Sequence, residues 1–401
     1  MNDKQQQIDF LTTGVGRGHR FYLEGLRAAV QRCNPGTETE LFLAPEVSGA
    51  LARSGWKLIN QLYRKGSSSG MFGAWYHRLR SKDGADSHSE PGKALQLFGS
   101  GLRRWWRSRG NLLIVDHPLL VRLLSTGQRF AQLIYMHGEL VAPAESLVRG
   151  ADIIIVPTED VKSQFAKAGL APKSIFVSGI CIEKSLIDLA EQASLLRLKR
   201  LRESATLTGA YFSSGAEPLE HCRLILSAVR SCLAHSSDSQ DPRQQRSLVF
   251  ATEGGRLAGM LATSGMLEQP GVRLLTYNSV LDEEQELTQV FTEIDYYVAP
   301  AHERTNWAVG LGLPFFALLP CFGSYAPLNL RMAQCHAYAK TVASATDAEQ
   351  FGGTLNKLCL SGELESMNCF GARYGDSRLT AINGFEHGAK MLMKELLPHC
   401  W

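Results

Sequence analysis

The sequence predicts an α/β protein built as two units, and three observations predict it. Short apolar runs alternate with amphipathic, helix-forming stretches along the chain. That pattern stops at a charged helical stretch after residue 182 and then restarts. The length, 401 residues, suits two domains of ordinary size. Strands that alternate with helices imply mostly parallel sheets.

The elements follow in order. IDFLTT is a buried strand, GVGRGH a glycine turn, and RFYLEGLRAAVQRC a helix with Leu23, Leu26 and Val30 on one face. ETELFLA, LLIVDHP, QLIYMHG, DIIIVPT and IFVSGI are short strands, each ended by a turn or a polar residue. Between the last two, Thr158 is placed to cap a helix and Gly169 to end it. After the charged stretch come TLTGAYFSS, a strand and turn, and PLEHCRLILSAVRSCLA, a helix. HSSDSQDPRQQRS is a polar loop. SLVFATEGG, VRLLTYN, DYYVAPA and FFALLP are further strands. The expected domains are 1–182 and 205–380, with 183–204 as an interdomain helix or linker and 381–401 as a C-terminal helix.

Composition narrows the class. The chain is 44% apolar and 20% charged with a net charge of +3, which excludes collagen-like and wholly disordered chains and argues against a nucleic-acid partner. Nine scattered cysteines without Cys-x-x-Cys spacing read as reduced thiols of a cytosolic protein, not as disulfides or a zinc site. The first residues lack the basic start and apolar run of a signal peptide. The longest apolar stretch, Trp307–Phe322, is interrupted by two prolines and is too short to span a bilayer. The expected location is the cytoplasm, with any membrane contact peripheral and on the inner face.

One block stands apart. Residues 51–110 carry 12 Lys+Arg against Asp83, Asp86 and Glu90, a net of +9, so the rest of the chain is acidic. The block also holds Trp56, Trp75, Trp105 and Trp106. Tryptophan beside basic residues suits a headgroup interface, where each cation contributes about 1 kcal/mol near an anionic leaflet. This insertion is therefore read as a membrane-docking surface; the plain alternative is that its tryptophans pack inward.

Candidate chemistry sits at the turns. Gly14-Val15-Gly16-Arg17-Gly18-His19 joins the first strand to the first helix, where a ligand can approach the backbone. Its spacing is neither the dinucleotide fingerprint nor a P-loop. A histidine there is poised near neutral pH. Asp116-His117 and His137-Gly138-Glu139 end strands on the same side of a parallel sheet, so three histidines and two carboxylates converge. No tight metal-ligand spacing occurs.

TTGVGRGHR, LLIVDHPLL, IYMHGEL and ADIIIVPTEDVKSQFAKAGLAPKSIFVSGICI, in that order, resemble the N-terminal half of a set of GT-B glycosyltransferases. The set includes monogalactosyldiacylglycerol synthase, processive diacylglycerol glucosyltransferases and the peptidoglycan N-acetylglucosaminyltransferase. Cys181 stands where that family has a proline. The C-terminal half resembles it in layout more than in letters. AYFSSGAEP, ATEGGRLAG and VRLLTYNSVL take the places of its first turn, second turn and base-binding strand. APAHERTNWAVGLGLP takes the place of its glycine-rich turn, helix and Gly-x-Pro, with Trp307 where the family has an acid.

The resemblance implies two Rossmann-like domains of GT-B type facing a central cleft. It implies transfer of a sugar from a nucleotide-diphosphate donor, UDP-linked, to a lipid or cell-envelope acceptor, inverting, with no metal and no cofactor. His19 is then the catalytic base or the residue that orients the acceptor, and Glu139 the second candidate base. Gly16, Gly18, His117 and His137 would bind acceptor. Ser214, Gly215, Glu303, Arg304, Thr305, Asn306 and Asn329 would bind donor, with Thr305 capping a helix and Arg304 pairing with phosphate. The rival readings are a nucleotide-sugar 2-epimerase, a GT-B-like binding protein without catalysis, and a transferase with a soluble acceptor.

Overall fold

The computed structural model describes residues 7–13, 17–49, 52–56, 93–126, 130–203, 205–236, 244–370 and 382–396. The chain divides into two compact units, Met1–Cys181 with Asn383–Trp401, and Ile182–Ile382.

The first unit opens with β1 (Gln7–Thr12), α1 (Arg17–Cys33), β2 (Glu38–Leu43) and α2 (Ala44–Val47). It continues through α3 (Lys93–Arg109), β3 (Leu112–Val115), α4 (Pro118–Leu124) and β4 (Leu133–Met136). β5 (Ile153–Val156), α5 (Glu159–Lys167) and β6 (Ile175–Val177) complete its sheet. All strands are parallel, in the order β2-β1-β3-β4-β5-β6. The Thr158 side chain accepts from the Val161 N–H at 3.3 Å and so caps α5, and Gly169 takes a left-handed φ of 84° beyond its end.

The second unit begins with α6 (Lys184–Arg202), which fills most of the segment expected as an interdomain helix or linker and belongs to this unit. Its buried Arg197 donates to the Ile294 and Gly312 carbonyls and to the Asn368 side chain. There follow β7 (Leu207–Phe212), α7 (Leu219–Ser236), β8 (Gln245–Thr252), α8 (Arg256–Thr263), β9 (Val272–Tyr277) and α9 (Val280–Val290). β10 (Tyr296–Ala299), α10 (Thr305–Leu311), β11 (Phe315–Leu318), α11 (Tyr325–Cys335) and β12 (Ala339–Val342) complete the sheet. Helices α12 (Ala345–Glu349), α13 (Phe351–Leu360) and α14 (Glu363–Phe370) follow. The order is β12-β11-β10-β7-β8-β9, again all parallel. The chain then returns to the first unit as α15 (Gly384–Leu396), which packs on α1. Gly25 permits this: a Cβ there would lie 2.4 Å from the Phe385 ring.

The tryptophans of the basic block correct an expectation. Trp56 and Trp106 are fully buried in the core of the first unit. Their indole N–H groups donate to Ser48 Oγ at 3.0 Å and to the Asn111 carbonyl at 2.9 Å. Trp105 packs edge-on against Phe42 at 4.8 Å. Each buried aromatic is worth more as core than at a headgroup interface, because its whole ring leaves water. Trp75 lies outside the described residues.

Not all the block's cations point outward either. Arg109 makes two hydrogen bonds to Asp9, at 2.9 and 3.0 Å, and one to Glu40 at 2.6 Å. Asp9 is wholly buried in β1. Those carboxylates hold the Arg109 guanidinium firmly charged. Arg109→Met should therefore strand a buried carboxylate and destabilise the first unit by about 3–5 kcal/mol, measured by chemical denaturation. The Asp9→Asn/Arg109→Met double variant should recover part of that loss.

Candidate active site

In the first unit the strand order reverses between β1 and β3. Diverging connections on either side of such a point leave a crevice at the carboxyl ends of the strands. Thr12 and Thr13 end β1, buried. Gly16 lies outside the described residues; Gly18 and His19 stand half-buried in the first turn of α1. Asp116 and His117 follow β3 on the other side of the reversal.

A hydrogen bond crosses it. His19 Nδ1 lies 3.0 Å from the Asp116 carbonyl oxygen. A carbonyl only accepts, so Nδ1 carries the hydrogen and Nε2 is the acceptor nitrogen of the neutral ring. That is the tautomer a general base needs. The His117 ring sits 4.6 Å from His19, centroid to centroid. Its Nδ1 accepts from the Leu119 N–H at 3.1 Å and caps α4. His117 thus has a structural task in the turn.

His137 departs from its expected role. The ring is buried, with Nε2 donating to the Val141 carbonyl at 3.0 Å and Nδ1 accepting from the Tyr135 hydroxyl at 3.2 Å. Burial pushes its pKa down to about 3. With both nitrogens engaged and the ring neutral, His137 shapes the 137–142 turn instead of presenting a nitrogen to acceptor. Gly138 is required there, since a Cβ would meet the Tyr22 ring at 2.1 Å. Glu139 follows it, buried.

In the second unit the order reverses between β10 and β7. Ser214 and Gly215 form the turn after β7, with Gly215 exposed. The turn after β10 differs from its expected form. Arg304 is buried, and its guanidinium pairs with Glu283 of α9 and with Glu303. It also lies over the Phe212 ring at 4.4 Å. Two carboxylates and an aromatic face enclose the cation, so it is committed to the protein and not available to phosphate. Nor does Thr305 cap α10: Arg304 occupies the cap position with helical φ and no side-chain cap. Thr305 is the first helical residue, its N–H bonded to the His302 carbonyl at 2.9 Å. Asn306 is buried beside it. Asn329 Nδ2 donates to the Ala301 carbonyl at 3.2 Å, tying α11 to the β10 turn.

Sequence reasoning missed several residues here. Glu283 sits 20 residues before Glu303, on another helix, and no local pattern marks it. Glu217, at a left-handed φ of 42°, places its carboxylate on the Leu257 N–H at 3.1 Å and on the Thr252 hydroxyl at 2.8 Å. It thereby fills the N-terminus of α8 from inside. His221 donates from Nε2 to the Pro320 carbonyl at 2.9 Å and packs on Phe322, and burial lowers its pKa to about 4. Trp307 Nε1 donates to Glu183 Oε2 at 2.9 Å, bringing an acid beside the position where the resembling family carries one. Among the described residues no group of His, Cys, Asp and Glu is arranged to hold a metal, and no helix is long and apolar enough to cross a membrane.

No protein-family model matches the chain, and no curated protein sequence matches it. Solved structures do. A UDP-GlcNAc 2-epimerase from Neisseria meningitidis, bound to UDP-GlcNAc, is similar over 98% of this chain and 100% of its own, at 12% identity and a TM-score of 0.55. The glycotransferase of kitacinnamycin is similar over 98% and 99%, at 11% identity and a TM-score of 0.55. MurG of Acinetobacter baumannii is similar over 97% and 99%, at 10% identity and a TM-score of 0.51. The fold is of the GT-B type, two Rossmann-like domains. At these identities the likeness carries the fold and leaves the reaction to the site.

The His137 environment sets a pH dependence. Its folded pKa is depressed, so between pH 6.5 and about 3 the unfolded chain binds a proton that the folded one does not. That contribution to stability is full above pH 6.5 and falls as the pH drops through this window. Denaturation midpoints of His137→Gln should be lower than wild type at pH 7 and should fall less steeply on acidification.

Proposed function

We propose that the protein is a glycosyltransferase that uses a nucleotide-diphosphate sugar, UDP-linked, and a lipid or cell-envelope acceptor. The observation that carries this reading is the His19–Asp116 hydrogen bond, which presents Nε2 of a neutral imidazole at the β1–β3 crevice. In the proposed inverting displacement, His19 Nε2 takes the acceptor hydroxyl proton as the acceptor oxygen attacks the sugar C1. The bond from C1 to the diphosphate breaks on the opposite face. Glu139 serves as the alternative base, and Gly18 lets the acceptor approach the start of α1. Ser214, Gly215 and the buried polar residues after β10 are assigned to the donor side. With Arg304 enclosed, the leaving diphosphate needs another source of positive charge, so Mg²⁺ is a variable of the test.

The epimerase reading is kept because one epimerase structure is as similar as the glycotransferase. The two separate on acceptor dependence. A 2-epimerase inverts C2 of UDP-GlcNAc with no acceptor present, whereas a transferase releases UDP only when a hydroxyl acceptor is supplied.

A thermal-shift series with UDP, GDP, CDP and dTDP, with and without Mg²⁺, tests the donor. UDP at 100 times its dissociation constant should stabilise the protein by about 2.7 kcal/mol. No shift with any nucleotide would remove the transferase reading. On a competent donor–acceptor pair, His19→Ala should lower kcat by about 10²–10⁴-fold, the usual range for general-base catalysis. Wild-type turnover would move the base to Glu139.

Peripheral attachment to the inner face of a membrane is proposed on charge alone, since Trp56 and Trp106 are buried in the core. Arg53, Arg104 and Arg107 remain exposed. Binding to phosphatidylserine vesicles should then be lost at about 1 M NaCl, where the screening length is about 3 Å. Binding that survives such salt would point to apolar insertion instead.

A further inference from the structure

We propose that Arg256 is the phosphate-binding cation of the second unit: its guanidinium is fixed on the turn after β7 with one edge open to the diphosphate of a nucleotide. The proposal rests on the nucleotide-sugar reading and names the residue that would hold its diphosphate.

The site is built from two neighbouring turns. The Glu217 N–H donates to the Ser214 carbonyl at 2.9 Å and closes a tight turn after β7. Glu217 sits there at a left-handed φ of 42°, directly before Pro218, a conformation that its side chain must hold in place. Its carboxylate accepts from the Thr252 hydroxyl at the end of β8 and from the Leu257 N–H at the start of α8. Gly255 leaves room for it, since a Cβ there would lie 2.7 Å from both carboxylate oxygens. The two turns are thus locked together. Arg256, the first residue of α8, adds the reverse contact: its Nη1 donates to the Glu217 carbonyl at 2.7 Å.

That bond uses one nitrogen of the guanidinium. Among the described residues, Nε and Nη2 make no hydrogen bond and Arg256 pairs with no carboxylate. The acids of these turns are committed elsewhere, Glu217 to Thr252 and Leu257, and Glu253 to the Asn278 amide. An Nε–Nη2 edge takes two phosphate oxygens side by side, a geometry that an ammonium lacks. Anchoring Nη1 on main chain also orders the side chain in advance, which lowers the entropy cost of binding. Arg304 is the contrast. It is buried between Glu283 and Glu303, whereas Arg256 is exposed, against the turn that leaves β7 at the β10–β7 reversal.

The test is calorimetric titration of the full chain with UDP, uridine and inorganic pyrophosphate. Arg256→Gln should weaken UDP and pyrophosphate by about 10–100-fold, the range for a hydrogen bond to a charged group, and leave uridine unchanged. Arg256→Lys should recover part of the loss, because it keeps the charge without the fork. Wild-type affinity for UDP in Arg256→Gln overturns the proposal. An equal loss for uridine also overturns it, because the turn and not the phosphate contact would then have failed. Should Arg256→Gln lack the wild-type circular dichroism, Arg256→Lys carries the test, with UDP weakened and uridine unchanged. A wild type that binds no nucleotide removes the nucleotide-sugar reading. Pyrophosphate then decides Arg256 by itself: binding that Arg256→Gln loses supports the site, and no binding to wild type overturns it.

Discussion

Parallel strand pairing governs where chemistry can occur in this protein. Each parallel connection must cross back over the sheet, so every turn that leaves a strand at its carboxyl end lies on one rim. The rim opens only where successive connections diverge, and each unit has one such point, β1/β3 in the first and β10/β7 in the second. The residues with chemical potential collect there. Thr12, His19 and Asp116 meet at the first, and Phe212, Ser214, Glu303 and Arg304 at the second.

Buried charge holds these rims in place. Asp9 is anchored by Arg109, and Asp295, also wholly buried, accepts from Arg200 and from the Thr208 N–H. Each aspartate ties strand backbone to an arginine from a helix, so each sheet carries an ionic clasp that tolerates no one-sided change. The Arg304 cage is the same device at the β10 turn. It fixes the turn through the Tyr297 hydroxyl, which donates to the Arg304 carbonyl at 2.7 Å. A cation that appears suited to phosphate in the sequence is therefore part of the scaffold.

The fold was legible because its signals are local. Apolar runs of four to six residues and the Thr158 cap announce themselves within a few residues. The β1–β3 site was half legible, since His19, Asp116 and His117 each end or begin an element. What the sequence does not carry is pairing at a distance. Trp56 and Trp106 look like a headgroup surface until Ser48 and Asn111 take their N–H groups. His137 looks available until Tyr135 and Val141 take both nitrogens. Arg304 looks free until Glu283 arrives from α9. In each case the residue type was informative and the partner decided its use.

The distribution of charge bears on how a diphosphate would be held. Around the second crevice, Glu217, Glu283 and Glu303 outnumber Arg304, and Glu217 already occupies the N-terminus of α8. Arg304 is enclosed there, while Arg256, which donates to the Glu217 carbonyl at 2.7 Å, stands exposed at the start of α8. At the first crevice, His19 stands in the first turn of α1 with its Nδ1 on the Asp116 carbonyl. The two units share a topology and differ in what each rim gathers: an imidazole bonded to main chain at the first, and a guanidinium caged by carboxylates at the second.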